Sequence, residues 1–189
     1  MSLRVAFMVA EGTELTECIA TMDVLKRAGI ECDTLGCERT ITRGVNHEYC
    51  LTHDFYDAVV FPGGGLGVKN VRDVVFLGAN TRFKNVKEQI LKMNDEHKLI
   101  AAICAAPSIL GELGLLKGKK YTCYPGFSSD SFGGEYTAEE VVRDDNVITG
   151  RSMYFSTDFG LAIVEYLLGK EKRVEIEEQV KGLKPKTRK

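Results

Sequence analysis

The chain has 189 residues, 44% hydrophobic and 28% charged, with 25 Lys+Arg against 27 Asp+Glu and a formal net charge of −2. That length suffices for one domain with a full core, read as residues 1–189. The charge balance supplies no basic surface excess for nucleic acid or an anionic membrane, and no apolar run approaches the roughly 20 residues that span a bilayer.

Leu3 to Val9 is a short apolar run, expected to be the first strand. Its apolar segment ends at Glu11-Gly12 without a small-residue cleavage site, so it is not read as an export signal. Ala10 to Thr13 is a turn, with Thr13 as the expected N-cap. Glu14 to Ala28 has the spacing of an amphipathic helix, closed by Gly29, and Ile30 to Leu35 is a second strand. Strand, helix and strand within so few residues form a βαβ unit and favour a parallel sheet.

Gly36 to Asp54 is polar, with weak alternation around Val45 to Leu51, and is read as an antiparallel ribbon. His47, Cys50 and His53 are the one cluster of metal-ligand residue types, but on an exposed ribbon they do not make a metal site, and none is expected. The six cysteines include no C-x-x-C pair, and without an export signal they are expected to be reduced thiols.

Ala58 to Phe61 is the next buried strand and runs into Pro62-Gly63-Gly64-Gly65-Leu66-Gly67. The spacing is neither a dinucleotide fingerprint nor a P-loop, because G-x-G-x-x-G is absent and no Gly-Lys-Ser/Thr follows. Consecutive glycines instead let backbone amides approach another group closely. Thr81 to Asn94 is a charged amphipathic helix.

Leu99-Ile100-Ala101-Ala102-Ile103 then reads as a strand buried on both faces, and Pro107 suits the first turn of a helix. Cys104 stands at the change, with Ala102 and Ala106 two positions to either side. This is the layout of a nucleophile elbow, with Cys for Ser and Ala for Gly. A core cysteine acting as a small apolar residue fits the same run. Lys119 to Cys123 is a further short strand. Val141-Val142 and Val147-Ile148-Thr149 form two strands around Arg143 to Asn146. Ser156 to Leu168 is a helix capped by Ser156 and closed by Gly169. Residues 171–189 read as a charged helix through Val180 and a frayed basic tail.

In open parallel sheets, ligands bind beyond the carboxyl ends of the strands. Parallel order therefore brings the Glu11 to Glu17 turn, the Gly63-Gly64-Gly65 loop and Cys104 to one rim. Cys104 is the candidate nucleophile, and a free thiol near pH 8.5 needs help to ionise. A helix N-terminus supplies part of that help, and a protonated carboxylic acid at Glu14 or Glu17 supplies more. Both glutamates also fit a plain first-turn role. Amides of Gly63, Gly64 and Ala105 are positioned to hold an oxyanion.

The segments Ala101 to Pro107 and Phe61 to Gly67, with Glu14-Leu15-Thr16-Glu17, Asp23 to Ile30 and Leu161 to Glu165, resemble the DJ-1/ThiJ/PfpI superfamily, closest to its DJ-1 branch. They occur in that family's order and cover nearly the whole chain. The resemblance implies an α/β fold, a flavodoxin-like three-layer sandwich with a mostly parallel central sheet, assembled as a homodimer. It implies Glu17 as the carboxyl beside the reactive Cys104. It also implies Arg151 near the pocket mouth, binding an anion with Ser152, and a pairing contact between Asp23 and Arg43.

One departure stands out. DJ-1 relatives often carry a histidine after the strand that follows the elbow helix, and here that position holds Tyr124. His47, His53 and His97 lie in other segments, which argues against a protease or a glutamine amidotransferase. The implied activity is that of a cytoplasmic, cofactor-independent glyoxalase III or deglycase. Its substrate is a small reactive aldehyde such as methylglyoxal, or a glycated protein. The alternative is a redox-sensing stress protein or chaperone that uses the same cysteine.

Overall fold

The computed structural model describes residues 2–36, 51–78 and 85–183. Its frame is a six-stranded sheet built from β1 (Arg4–Val9), β2 (Glu31–Gly36), β3 (Ala58–Phe61), β4 (Leu99–Ile103), β7 (Val141–Asp144) and β8 (Val147–Gly150). Their order is β2-β1-β3-β4-β8-β7. The first five in that order run parallel, and β7 pairs antiparallel with β8 at the edge. A separate two-stranded ribbon joins β5 (Lys120–Tyr121) to β6 (Glu135–Tyr136).

Side chains alternate along each central strand and build two cores. On one face Ala6, Met8, Val59, Phe61, Ile100 and Ala102 belong to the first core. Three helices cover them: α2 (Gly65–Leu77), α3 (Val86–Asp95) and α4 (Pro107–Glu112), through Val71, Val75, Ile90, Met93 and Ile109. On the other face Val5, Phe7, Val60, Ala101, Ile103 and Ile148 meet α1 (Leu15–Arg27), α5 (Ser156–Leu168) and α6 (Lys170–Val180). The result is the expected flavodoxin-like sandwich, a mostly parallel sheet between two helical layers. It explains the unbroken apolar runs of β3 and β4, because a strand covered on both faces has no polar side. Among the described residues no helix is long and apolar enough to cross a membrane.

Local details differ from the sequence reading. Thr13 does not cap α1. Its Oγ1 accepts from the Ala10 N–H at 2.9 Å and closes the turn after β1, while the Glu14 carboxylate caps the helix by accepting from Thr16 N–H at 3.1 Å. Ser156 lies inside α5, and its hydroxyl donates back to the Met153 carbonyl at 2.6 Å. Helix α2 was not expected, since three glycines at its start mask the apolar spacing of Val68, Val71, Val74 and Val75. The strand expected over Lys119 to Cys123 shortens to β5 and pairs outside the main sheet, and Cys123 is fully buried. Most of the ribbon expected over 36–54, with His47, Cys50, Arg43 and Cys37, lies outside the described residues. So do the first residues of the helix expected from Thr81, and the tail from 184.

Helices α1 and α5 pack closely at Gly160, where an added Cβ would stand 3.0 Å from Val24 Cβ. Gly160→Val is therefore expected to cost about 1–3 kcal/mol through overpacking. Thermal unfolding followed by circular dichroism should place the variant several degrees below wild type; an unchanged midpoint would show that the two helices part easily.

Candidate active site

The site forms where β1, β3, β4 and β8 end on one rim. Strand β4 stops at Ile103, and α4 begins at Pro107. Between them Cys104 takes a positive φ of 64°, the strained turn expected of an elbow. Neighbouring strands hold this conformation: Cys104 N–H donates to the Gly150 carbonyl at 2.9 Å, and its own carbonyl accepts from Tyr124 N–H at 2.8 Å. Ala105 and Ala106 are buried against the first core, where larger side chains would not fit.

Glu17, on the first turn of α1, faces the elbow with only 1% of its surface exposed. Its Oε2 accepts from the Gly63 N–H at 2.7 Å. The Gly63 carbonyl in turn accepts from Glu14 N–H at 2.9 Å. A Cβ on Gly63 would lie 2.6 Å from Glu17 Oε2 and 2.7 Å from Cys104 Cβ, so only glycine allows this approach. Glu17 Oε1 is buried without a hydrogen-bond partner.

Burial raises the Glu17 pKa, opposed by its interactions with the Cys104 thiol and the Gly63 amide. Burial also pushes the Cys104 thiol up to about 12, with the Glu17 charge adding to the rise and the Ala105 and Gly64 amides pulling against it. The lowered thiol pKa expected from the sequence is therefore not found. Burial disfavours charge on both acids, and α4 is too short to supply a strong dipole. Amides of Ala105 and Gly64 are the groups that favour a thiolate at the sulfur.

These groups open into a cavity of about 340 Å³ lined by Glu14, Glu17, Cys104, Tyr124, Met153 and Tyr154, with Gly64 and Ser152 completing the wall. The structure thus brings together Cys104, Glu17, Gly64 and Tyr124. Ala105 adjoins the sulfur through its amide. Gly63 is not free to hold an oxyanion, because its N–H is committed to Glu17.

Arg151 does not reach the wall. Its guanidinium donates to the Ala138 carbonyl at 2.6 Å and lies over the Phe155 ring, 4.8 Å from the centroid. The anion site expected at Arg151 is corrected on that ground: the side chain is drawn away by these two partners. Met153 and Tyr154 were not foreseen, although they directly follow the end of a parallel strand, where the rim rule points.

Asp23 pairs within its own helix with Arg27 at 2.6 Å, and Arg43 lies outside the described residues. His53 Nε2 sits 2.8 Å from Asp54 Oδ1 and 3.4 Å from Glu96 Oε1, while His47 and Cys50 are outside the described residues.

Comparison with known proteins agrees with this geometry. A model of the DJ-1/PfpI family matches residues 3–166. The chain is 34% identical over 194 residues to Protein dj-1beta of Drosophila melanogaster, covering 97% of each. It is 31% identical over 184 residues to Protein DJ-1 homolog B of Arabidopsis thaliana, covering 92% of this chain but only 40% of that longer protein. Among solved structures, oxidized DJ-1 of Toxoplasma gondii superposes with a TM-score of 0.79 at 26% identity, over 95% of this chain and 98% of that one.

The raised Glu17 pKa gives the site a pH signature. An acid with a higher pKa in the folded state binds more protons folded than unfolded, so stability falls as pH rises from the unfolded value near 4.3 through the raised one. Glu17→Gln keeps an acceptor for Gly63 and removes the titration. Its melting temperature is expected to exceed wild type above that window and to fall less with pH; parallel curves would contradict a raised Glu17.

Proposed function

The chain belongs to the DJ-1/PfpI family, and from that membership and the Cys104–Glu17 pair we propose a cysteine-dependent, cofactor-independent glyoxalase III- or deglycase-type enzyme acting on methylglyoxal or its protein adducts. The observation that carries the reading is the buried, partnerless Glu17 Oε1 beside a strained cysteine in an open pocket. A proton placed on that oxygen leaves a thiolate at Cys104. The sulfur attacks the aldehyde carbon, and the new oxyanion is held by amides of Gly64 and Ala105. Glu17 gives its proton to that oxyanion and completes the hemithioacetal.

The Glu17 carboxylate then removes the proton from the former aldehyde carbon and returns one to the neighbouring carbon, while the hemithioacetal hydroxyl proton passes to the neighbouring carbonyl oxygen. This converts the hemithioacetal, through its enediol, to a thioester of lactate. Water cleaves the thioester, releasing lactate and restoring the thiol. The net reaction is methylglyoxal plus water to lactate, with no oxidant or reductant consumed. On a glycated protein the former aldehyde carbon is already a hemiaminal or hemithioacetal; the thiolate displaces the protein's amine or thiol there, which leaves with the Glu17 proton, and the same enzyme hemithioacetal results.

This reading carries with it a cytoplasmic homodimer formed of single-domain protomers. Leu15 and Ile19, exposed on one face of α1 and four residues apart, support pairing through that helix.

Lactate formation from methylglyoxal without glutathione is the deciding assay. Cys104→Ala is expected to abolish turnover, and Glu17→Gln to lower kcat by about 10²–10⁴-fold. Turnover that survives in Cys104→Ala overturns the mechanism.

A second reading is redox sensing or a stress chaperone, supported by the cysteine's place on an open pocket wall and by the relative solved in an oxidized form. Peroxide would convert the thiolate to sulfenate and release water, and a second equivalent would give sulfinate. Burial holds the thiols of Cys18 and Cys123 up at about 11 and that of Cys32 at about 12, and none of the three lines the pocket that exposes Cys104. Graded peroxide followed by tryptic mass spectrometry is expected to modify Cys104 first, and Glu17→Leu to slow sulfinate capture. Oxygen appearing first on Cys37 or Cys50 would sink the activated-thiol reading.

A further inference from the structure

The Cys104 pocket is larger and more apolar at its mouth than its smallest candidate substrate requires. Its volume of about 340 Å³ equals on the order of ten water volumes, at the lower end of ordinary ligand sites. A three-carbon aldehyde bonded to the sulfur leaves most of that space empty. The space is bounded by Tyr124, Met153 and Tyr154, which are 48%, 48% and 81% exposed. Large apolar side chains on a pocket mouth are an interaction surface rather than core.

The rim is also held in place. The Tyr124 ring meets Phe127 edge-on at 6.4 Å, and Tyr154 meets Phe155 at 5.1 Å. Phe155 is pinned in turn beneath the Arg151 guanidinium. The Ser152 carbonyl accepts from Phe155 N–H at 3.0 Å, which closes the turn carrying Met153 and Tyr154. Rings fixed by their neighbours lose little freedom when a ligand stacks on them.

The charge of the wall points the same way. Besides Cys104, Tyr124 and Tyr154, its ionisable residues are Glu14 and Glu17, and among the described residues it contains no Lys, Arg or His. The guanidinium that follows β8 is turned away to Ala138 and Phe155. An anionic substrate would meet carboxyl groups and find no counter-charge on the wall.

We propose that Tyr124, Met153 and Tyr154 form a specificity rim that selects neutral aldehydes bearing an aromatic or comparably broad apolar group over small or anionic ones. The proposal rests on the catalytic reading above for its turnover assay. An aryl group stacks on the two rings and the thioether, remote from the reacting carbon. Such binding is uniform between ground and transition states, so the preference appears in KM and leaves kcat similar. Sulfur–aromatic and ring–ring contacts together support about a tenfold gain.

The experiment compares phenylglyoxal, methylglyoxal and the anionic α-ketoaldehyde 4-carboxyphenylglyoxal by kcat/KM. Wild type is expected to favour phenylglyoxal over methylglyoxal by about tenfold, through KM. It should favour phenylglyoxal over 4-carboxyphenylglyoxal, whose carboxylate would meet Glu14 and Glu17 without a counter-charge. Combining Met153→Ala with Tyr154→Ala should bring the phenylglyoxal-to-methylglyoxal ratio toward unity, while Tyr154→Phe keeps it. A wild-type ratio near unity, or one that survives the double truncation, overturns the rim.

Failure of all three aldehydes would count against catalysis. The rim is then decided by protection of Cys104 from iodoacetamide, read by mass spectrometry. Phenylacetaldehyde protecting at lower concentration than acetaldehyde in wild type, but not in the double variant, supports it. Equal protection overturns it.

Discussion

The Gly63 peptide is the constraint on which the site depends. Its N–H is held by the Glu17 carboxylate and its carbonyl by the backbone of Glu14, so the two peptide groups that flank its Cα tie the loop after β3 to the start of α1. Cys104 closes the third side, near enough that a methyl group on Gly63 would collide with it. Three rim segments from distant parts of the chain are thereby set to within a bond length or so of each other. A parallel sheet makes this natural, because every strand arrives at the rim from the same direction. The strain at Cys104 persists because β8 and the Tyr124 backbone hold the residue from either side.

That closeness also decides the proton chemistry. An isolated buried thiol stays protonated, as Cys18 and Cys123 do. An isolated buried carboxyl also tends to stay protonated. Placed together, the Glu17 charge raises the cost of ionising Cys104 further, so the site disfavours two negative charges at once. Oxygen Oε2 is occupied by the Gly63 amide and Oε1 is not, so Oε1 is the atom with room to carry the proton. Burial therefore works against a thiolate at Cys104, and the Ala105 and Gly64 amides work for it.

The fold was legible where hydrophobic runs were short and bounded. Strands β1, β3 and β4 and helices α1 and α5 follow the apolar spacing to within a residue or two. The elbow was legible because small residues flank a cysteine between a strand-like run and a proline. Helix α2 was not, since glycine opens it and glycine is a poor helix former. Glu17 could be named as a first-turn acid, but its burial depends on the Gly63 loop arriving from 46 residues away. Arg151 illustrates the opposite failure: its place at a strand end was read correctly, yet a carbonyl at Ala138 and a ring at Phe155 determine where its charge goes.

Replacing a histidine by Tyr124 changes what the pocket can do. The Tyr124 backbone still secures the elbow through Cys104, so the structural part of the position is independent of its side chain. The side chain contributes a half-exposed ring at the pocket mouth instead of a titrating imidazole. An imidazole gains a positive charge near neutral pH and can stabilise an anion; an un-ionised phenol offers surface and one hydroxyl. With Arg151 also turned away, the wall among the described residues keeps carboxyl groups and rings but no cation. In the proposed reaction, proton transfer then falls to Glu17, and recognition to apolar contact. The same substitution that narrows the acid–base chemistry to a single carboxyl therefore widens the apolar surface available to a substrate.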